Sequence, residues 1–588
     1  MVFFRCIKKF RLILNHHQKV RILELGVLMI IGAFLEMLSV SLIVPFMSAV
    51  SDTDAIMKKW YVKKFCDIIG AQKPETFLVG LAIAMAIVYI LKNIFLLFEY
   101  NIQLRFVYGN MLMTQTRLLH NYLHKPYEYF LSINSGEVLR IINSDTKEVF
   151  GMLTSILSII SEFIVSGVLI ITIFVIAPQV TIVMAIVLIV MMALIMAILR
   201  PIQHKAGEEN VKSNARMNQW LIQSIQGIKE LKIMQKENYF EDNFVKDGSI
   251  YVKSIRTNFV YQNIPRFMIE AVIMSTMFLV IAFMIYRGGN GNQFIPMLSA
   301  VAMAAVRLLP SVYRISQDLS FLTYSEPKID NINDILFNTV PNKNEKLETD
   351  EKIYPLKNDI SLKDVSYHYP DSDSTRNVLN DVSFSINKGE SVGIIGPSGA
   401  GKTTTVDILL GLLKPQKGRV TIDGSDISLD MKDWLDQIGY IPQSIFMLDG
   451  TIRENVAFGV TGSDKKSDSS IYDIDARVWK ALDDASLADF ARSLPDGLDT
   501  EIGERGVRLS GGQRQRIGIA RALYYDPQIL VFDEATSALD NETESAIMES
   551  INHLQGEKTM IIIAHRLTTI ENCDKVYKVE GGKITRER

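Results

Sequence analysis

One glycine-rich stretch in the C-terminal part of the chain has the composition and spacing needed to bind nucleotide phosphates. It reads GPSGAGKT at Gly396–Thr403 and follows the apolar, strand-like run Ser391–Ile395. Glycines let backbone N–H groups converge on phosphate oxygens, and the helix that follows presents its positive N-terminal end. We expect Lys402 to reach the β- and γ-phosphates and the Thr403 hydroxyl to bind Mg²⁺. The predicted ATP-binding residues of this loop are Gly396, Ser398, Gly399, Gly401, Lys402, Thr403 and Thr404.

Two further features follow this loop in a fixed order. The pentapeptide LSGGQ occupies Leu509–Gln513, and the apolar run Ile529–Phe532 leads into Asp533 and Glu534. We expect Asp533 to help hold Mg²⁺. The ordered set closely resembles the ATPase domain of ATP-binding cassette (ABC) transporters. In that family LSGGQ completes an ATP site only across a dimer interface, so a single copy implies a partner chain. We predict a second, identical subunit, although a different half-transporter as partner stays open.

The resemblance implies roles for several more residues. Glu534 stands where the family has the general base that polarises the attacking water, and His565 matches the switch histidine that contacts the γ-phosphate. Gln443 matches the Q-loop residue that senses Mg²⁺, and Tyr369 the aromatic residue that stacks on adenine. In the family, the LSGGQ motif contacts the γ-phosphate of ATP bound to the opposing subunit; the matching residues are Ser510, Gly511, Gly512 and Gln513.

Two stretches match motifs that lie near the dimer interface and the membrane domain. Ser537–Asp540 matches the D-loop, and Thr500–Gly506 resembles the X-loop of exporters, which favours an exporter over an importer. The catalytic motifs show no departure from the family pattern. Both ATP sites of a homodimer are therefore expected to hydrolyse ATP.

Six apolar stretches precede the ATPase part of the chain. A helix needs about 20 apolar residues to cross the hydrocarbon core of a bilayer. The basic N-terminus has no acidic residue up to Arg21, which favours a cytoplasmic location. An even number of spans returns the C-terminus to the same side. The predicted spans are Leu25–Val50, Phe77–Phe98, Met152–Ala177, Val180–Leu199, Met268–Tyr286 and Phe294–Leu309.

The spacing of these spans predicts the fold class. The connections after the third and fifth spans, Pro178–Gln179 and Arg287–Gln293, are short, whereas those after the second and fourth are long and helix-prone. This layout resembles type I ABC exporters: a membrane all-α domain of six transmembrane helices with long cytosolic extensions, followed by an α/β P-loop ATPase domain. We predict domains at 1–325 and 358–588 and a linker at 326–357. The resemblance implies coupling helices near Asn134–Asp145 and Gly227–Lys236.

Composition and charge exclude several other classes of protein. The 588 residues carry a net charge of −3, which gives no argument for nucleic acid binding. The three cysteines have neither metal-ligand spacing nor the pattern of a disulfide framework.

Between the first two spans, apolar residues of Ser51–Thr76 fall at helical spacing among lysines. That pattern fits either a helix on the outer leaflet or a cap over the spans.

Basic residues on the cytoplasmic side of the spans are the main clue to what is carried. Charges within spans are costly unless they serve a function. The predicted substrate-binding residues are Lys92, Arg266, Arg307 and Arg314, which would suit a phosphate or pyrophosphate group. Two alternatives stay open: snorkelling of these side chains to the inner interface, and neutralisation by Glu36, Glu162 or Glu270.

Short fragments around Glu36–Phe46, Pro265–Glu270 and Arg307–Arg314 resemble bacterial lipid-linked oligosaccharide flippases. The resemblance implies a homodimer in the bacterial cytoplasmic (inner) membrane, with both termini in the cytoplasm. It would use ATP and Mg²⁺ to flip a polyprenyl-pyrophosphate glycan to the outer face. Export of another lipid, a peptide or a drug is the alternative. A soluble ABC ATPase in DNA repair or translation conflicts with the six spans, and a regulatory or channel-forming ABC protein conflicts with intact Glu534 and His565.

Overall fold

The computed structural model describes residues 2–41, 46, 73–176, 178–286, 291–338, 356–369, 377–426, 432–460, 471–534, 544, 549, 554–564 and 566–588. The chain divides into two compact units. One consists of Met1–Lys125 and Ile133–Lys343, and the other of Pro126–Ser132 and Asn344–Arg588. We call them the helical unit and the ATPase unit. The predicted amphipathic segment Ser51–Thr76 lies outside the described residues as far as residue 72.

The described part of the helical unit consists of helices, several of them far longer than a bilayer is thick. Its elements are α1 (Val2–Ile13), α2 (His16–Ser41), α3 (Pro74–Leu123), α5 (Ser135–Leu139), a π-helical turn (Arg140–Asp145), α6 (Thr146–Ile176), α7 (Pro178–Gln226), α8 (Ile228–Met234), α9 (Glu237–Tyr286), α10 (Gly291–Asn333) and a second π-helical turn (Asp334–Asn338). The short helix α4 (Tyr127–Ser132) belongs to the ATPase unit.

The predicted spans fall on α2, α3, α6, α7, α9 and α10, although the first extends beyond the described end of α2 at Ser41. Among the described residues, three segments are long and apolar enough to cross a membrane: Glu75–Leu123, Gly136–Gly167 and Ile189–Gln226. The long helices continue well past the predicted spans. This continuation supplies the extensions that the sequence predicts after the second and fourth spans.

Two predicted boundaries differ from the helices observed. Pro178 and Gln179, which we predicted as a connection, are the first residues of α7. Proline is tolerated there because the first-turn N–H groups of a helix have no intrahelical acceptor. The predicted end of the membrane domain at residue 325 lies inside α10, which continues to Asn333.

Polar side chains fix the register of the antiparallel helices α6 and α10. Ser155 Oγ donates to Asp318 at 2.7 Å, and Lys328 Nζ lies 2.5 Å from Glu148. The Lys328 side chain is 1% exposed, so its charge depends on this carboxylate. Removing Glu148 would be costly, because the Lys328 charge would stay desolvated. These contacts therefore hold the two helices in one alignment.

The ATPase unit contains two sheets. An antiparallel sheet has the order β2 (Leu379–Asn387), β1 (Asp359–Tyr367), β4 (Lys417–Ile422) and β5 (Ser425–Asp426). A mainly parallel sheet has the order β10 (Lys583–Arg586), β9 (Lys575–Glu580), β3 (Ser391–Ile395), β8 (Thr559–Ile563), β7 (Ile529–Asp533) and β6 (Ile438–Ile441). Besides α4, the described α-helices of the ATPase unit are α11 (Lys402–Leu409), α12 (Lys432–Leu435), α13 (Ile452–Val456), α14 (Ile471–Asp484), α15 (Ala488–Ser493) and α16 (Gly511–Leu523).

The parallel sheet brings distant motifs to one edge. Strands β3, β8 and β7 are neighbours, and each is buried along almost its whole length. The glycine-rich loop follows β3 and the acidic pair closes β7. In parallel α/β sheets, ligands bind at the carboxyl ends of the strands. The described part of the sheet therefore positions Gly396–Thr403 and Asp533–Glu534 on the same side.

Candidate ATP site and the basic residues of the helices

The glycine-rich loop has a backbone that requires glycine at specific positions. Gly396, Gly399 and Gly401 have φ values of 151°, 77° and 102°, in the region that side chains rarely adopt. A Cβ atom at Gly396 would lie 2.2 Å from the Val579 carbonyl oxygen, so even alanine would collide with β9. Glycine at these positions is therefore required for the loop to keep this conformation.

Lys402 and the threonines beside it form the first turn of α11. Lys402 is 5% exposed, and its Nζ donates to the carbonyl oxygens of Gly396 and Pro397 at 3.0 and 3.2 Å. These bonds hold the ammonium group against the loop. Thr405 Oγ1 donates to the Gly401 carbonyl at 2.8 Å and secures the start of the helix. Thr403 is exposed, and its hydroxyl lies within hydrogen-bonding reach of the Asp533 carboxylate.

Tyr369 contacts this helix from outside the loop. Its hydroxyl lies 2.9 Å from Thr404 Oγ1, and its ring packs edge-on against Tyr367 at 5.2 Å between centroids. Two predicted ATP-binding residues that are 35 positions apart are thus in direct contact. The family resemblance gave Tyr369 the role of stacking on adenine, and its contact with Thr404 fits a position beside a bound nucleotide.

The acidic pair at the end of β7 has distinct partners. Asp533 is 6% exposed, and its carboxylate accepts a 3.1 Å hydrogen bond from the Tyr440 hydroxyl. Burial raises the pKa of Asp533, while the Tyr440 hydrogen bond opposes that rise. Glu534 accepts a 2.6 Å hydrogen bond from Gln443 Nε2. The predicted base and the predicted Q-loop residue therefore touch.

Glu534 also has an unusual backbone. Its φ is 52°, in the left-handed region where a non-glycine residue carries some strain. Its N–H donates to the Ile563 carbonyl at 3.0 Å, which ties the residue to the end of β8. Strain of this kind persists only where the surroundings over-determine the conformation.

Two groups beneath the site were not identified from the sequence as site residues. Tyr440 lies in the same YIPQ stretch as Gln443, but nothing local shows that its hydroxyl reaches Asp533. Asp407, on α11, is buried, and burial together with the negative charge of Asp533 raises its pKa to about 6. No motif marks Asp407; only the packing of α11 against β7 reveals this pair of carboxyl groups.

The LSGGQ motif forms a capped helix start. Ser510 is the N-cap of α16, and its Oγ accepts from the Gln513 backbone N–H at 3.2 Å. In return Gln513 Oε1 accepts from the Ser510 N–H at 2.8 Å. This reciprocal capping box satisfies two backbone donors at the helix start. Ser510 and Gly511 remain exposed, as a motif that completes a site on another subunit requires.

Three predicted elements lie wholly or partly outside the described residues. His565 and the Ser537–Asp540 stretch lie outside the described residues. Arg307 lies on α10, and its side chain is outside the described part of the chain.

The other predicted substrate-binding cations each have a neighbour of their own. Lys92 is 8% exposed, with its Nζ 5.3 Å from the Tyr89 ring centroid. Arg266 is exposed and lies 5.5 Å from the Tyr313 ring centroid. Arg314 forms a 2.5 Å ion pair with Glu162, the neutralisation that the sequence left open.

The segment Pro126–Ser132 packs in the ATPase unit, whereas the predicted coupling stretch Asn134–Asp145 lies in the helical unit. The Glu128 carboxylate accepts a 3.2 Å hydrogen bond from the Lys414 backbone N–H. The second predicted stretch, Gly227–Lys236, contains the short helix α8, whose Ile233 and Met234 are 73% and 66% exposed.

Comparison with known proteins agrees with this geometry. The family model "ABC transporter transmembrane region" matches residues 22–305, and the model "ABC transporter" matches residues 379–537. A multidrug resistance ABC transporter ATP-binding and permease protein of Lactococcus lactis is 29% identical over 483 residues, which cover 80% of this chain and 77% of the relative. The leukotoxin translocation ATP-binding protein LktB of Mannheimia haemolytica is 31% identical over 477 residues, 80% of this chain and 64% of LktB.

A solved structure of a bacterial Atm1-family ABC exporter with ATP bound superimposes with a TM-score of 0.77, covering 97% of this chain and 95% of that one. At 23% identity this likeness concerns the fold alone. The chain belongs to the ABC transporters, as a half-transporter of the exporter type with one membrane region and one ATPase domain. It is an ATP-hydrolysing, multi-pass membrane transporter with the type I exporter fold that the sequence predicts.

Proposed function

We propose that two identical copies of this half-transporter form an ATP-driven exporter of a hydrophobic or amphipathic cargo, such as a drug, a peptide or a lipid. The observation that carries the proposal is the 2.5 Å ion pair between Arg314 and Glu162. A neutralised arginine does not favour a highly charged pyrophosphate. The multidrug and leukotoxin transporters among the relatives support the same choice.

In this proposal, ATP binds between the glycine-rich loop of one subunit and the LSGGQ motif of the other. The loop and Lys402 hold the phosphates, Tyr369 lies against adenine, and Ser510 with Gly512 contacts the γ-phosphate from the second subunit. Closure of the two ATPase units drives the helices toward an outward-facing state, and hydrolysis resets them.

The contacts at the end of β7 support roles for the acidic pair. Glu534 polarises the attacking water, and Gln443 holds its carboxylate at 2.6 Å. His565 contacts the γ-phosphate. Thr403, Gln443 and Asp533 offer a hydroxyl, an amide and a carboxylate, the hard oxygen ligands that suit Mg²⁺. When bound there, Mg²⁺ would neutralise charge on the β- and γ-phosphates.

We also propose the topology and the coupling segments. The transporter lies in the bacterial inner membrane with both termini in the cytoplasm, as the basic N-terminus favours. Helix α4 couples through its contact with the Lys414 backbone. Helix α8 is the second coupling segment, and its Ile233 and Met234 are 73% and 66% exposed.

A second candidate is flipping of a polyprenyl-pyrophosphate glycan, and Arg266 favours it. Its guanidinium is exposed at the cytoplasmic start of the predicted fifth span and lies over the Tyr313 ring rather than against a carboxylate in the described contacts. An exposed arginine at this depth could receive a pyrophosphate. Lys92, Arg307 and Arg314 would contribute further charge on this reading.

Reconstitution in proteoliposomes distinguishes the two candidates. We expect hydrophobic dyes or peptides to stimulate ATP hydrolysis and to be transported, in wild type and in Arg266→Ala alike. The matched control is Arg256→Ala, an exposed arginine on the same helix. If a labelled pyrophosphate-linked glycan moves instead, and only Arg266→Ala abolishes that movement, the flippase is correct and the proposal of a drug, peptide or other lipid as cargo is wrong.

A further inference from the structure

Three long helices of the helical unit present polar faces to one another just outside the segments predicted to span the membrane. On α7 the face consists of Gln203, Gly207 and Asn210. On α9 it consists of Ser254, Asn258 and Gln262. Their spacing of three or four residues puts each set on one side of its helix.

The third face lies on α10 and consists of Ser316, Ser320 and Tyr324. Gln203, Ser316 and Ser320 have no exposed area, and Asn210 and Asn258 are 2% and 6% exposed. Long helices of this kind normally interlock through apolar side chains. We call the region enclosed by the three faces the polar seam.

Direct contacts show that the three faces meet. Asn210 Nδ2 donates to Ser254 Oγ at 3.3 Å, which joins α7 to α9. Gln262 Nε2 donates to the Gln317 carbonyl at 3.4 Å, which joins α9 to α10. A Cβ atom on Gly207 would lie 2.0 Å from the Tyr324 carbonyl oxygen, so α7 and α10 touch backbone to backbone.

Six buried polar atoms in the seam have no hydrogen-bond partner among the described residues. Both amide atoms of Gln203 lack one, and so do Asn210 Oδ1, Asn258 Oδ1, Ser316 Oγ and Ser320 Oγ. Buried polar groups in folded proteins are nearly always paired, with protein or with ordered water. The cluster therefore calls for an occupant that supplies these bonds.

The chemistry of the six atoms selects the occupant. A sodium or potassium ion would satisfy oxygen atoms but would leave the Gln203 N–H donors without an acceptor. Water donates and accepts, and a buried water makes about three hydrogen bonds, so about two waters suffice for six atoms.

We propose that the polar seam holds ordered water and is the surface across which α10 shifts against α7 and α9. Hydrogen bonds through water re-form after a small displacement, whereas interlocked apolar side chains do not. Gly207, at its backbone contact with Tyr324, is the pivot of the shift. The hydration of the seam does not depend on the cargo; the shift rests on the proposed export cycle.

X-ray hydroxyl-radical footprinting of the full-length, nucleotide-free protein in nanodiscs tests for the water. Radicals form from ordered water and label side chains beside it. We expect Tyr324 to be labelled several-fold more than Tyr524, since both are 4% exposed and only Tyr324 borders the seam. Equal labelling of the two tyrosines means a dry seam and overturns the proposal.

A seam variant and a matched control make the test specific. Gln203→Met with Ser320→Ala should reduce Tyr324 labelling to the level of Tyr524. Gln223→Met with Ser249→Ala, at exposed positions of α7 and α9, should leave it unchanged. Replacing sodium and potassium by N-methylglucamine should have no effect; a loss of Tyr324 labelling in that buffer identifies a cation and overturns the assignment of water.

The same variants test the shift. We expect Gln203→Met with Ser320→Ala to lower kcat for ATP by about tenfold with the KM for ATP unchanged, because the nucleotide site is untouched. An unchanged kcat in a variant that has lost Tyr324 labelling refutes the sliding role. Because footprinting needs neither cargo nor turnover, a wrong cargo assignment does not affect its result.

Discussion

Replacing Arg314 by methionine should destabilise the transporter more than neutralising its partner Glu162. The Arg314 side chain keeps 62% of its area exposed, whereas that of Glu162 keeps 10%. Loss of Arg314 leaves a largely buried carboxylate without its 2.5 Å partner, which costs about 1–3 kcal/mol. Glu162→Gln leaves an arginine that is mostly exposed, and the cost of losing such a screened pair is below about 1 kcal/mol.

The double variant separates pairing from other effects of each substitution. Once Glu162 is glutamine, Arg314→Met removes nothing further, so the double variant should be about as stable as Glu162→Gln alone. Thermal unfolding of the four proteins in one detergent provides the measurement. Lys232→Met is the control, because the Lys232–Glu237 pair is 3.0 Å long but has side chains 67% and 36% exposed.

Two results would refute this reasoning. Equal destabilisation by the two single substitutions would mean that Glu162 is not effectively desolvated. Strict additivity in the double variant would mean that the two side chains do not interact in the membrane-embedded protein. In the latter case Arg314 would again be available for an anionic cargo, and the flippase would become the better candidate.

Three further predictions concern the ATPase unit. Glu534→Gln should lower ATP turnover by about 10²–10⁴-fold while ATP still binds, as measured by phosphate release and nucleotide binding; equal loss of binding would indicate a structural role. Tyr440→Phe removes the hydrogen bond that opposes the raised pKa of Asp533, so the acid limb of the pH–rate profile should move to higher pH; an unmoved limb would contradict this. Asp407 has a pKa of about 6 in the folded state against an ordinary value of 3.8, so the folded state binds the proton more tightly than the unfolded state. The free energy of unfolding should therefore fall by roughly 3 kcal/mol as the pH rises between those two values. Asp407→Asn should abolish that fall in unfolding experiments from pH 4 to pH 7.

Much of the fold was predictable because its signals are local. The six apolar stretches fall on six long helices, and the strand runs before Gly396 and through Asp533 are strands β3 and β7. Helix boundaries were less predictable. Pro178 is the first residue of α7 and not part of a connection between helices, because proline fits the first turn of a helix.

The candidate ATP site was predictable for a related reason. Gly396–Thr403 and Leu509–Gln513 are contiguous motifs in which each residue type is needed for its backbone conformation or its chemistry. The roles of Gln443 and Tyr369 were implied only through the family resemblance, and their contacts with Glu534 and Thr404 came from the structure. Tyr440 and Asp407 were missed because their importance depends on what packs against them, not on their neighbours in the chain.

By itself the amino-acid sequence determined that this protein couples ATP to a bundle of membrane helices, because loop glycines, a capped LSGGQ helix and apolar runs are encoded within short windows. Only the tertiary structure decided which of the described basic side chains near the predicted spans are left without an acidic partner and can bind a charged cargo. Arg314 and Glu162 are 152 positions apart, and no local pattern relates them. The polar seam also depends on the tertiary structure, because the polar faces of α7, α9 and α10 form one buried cluster only where the three helices pack together.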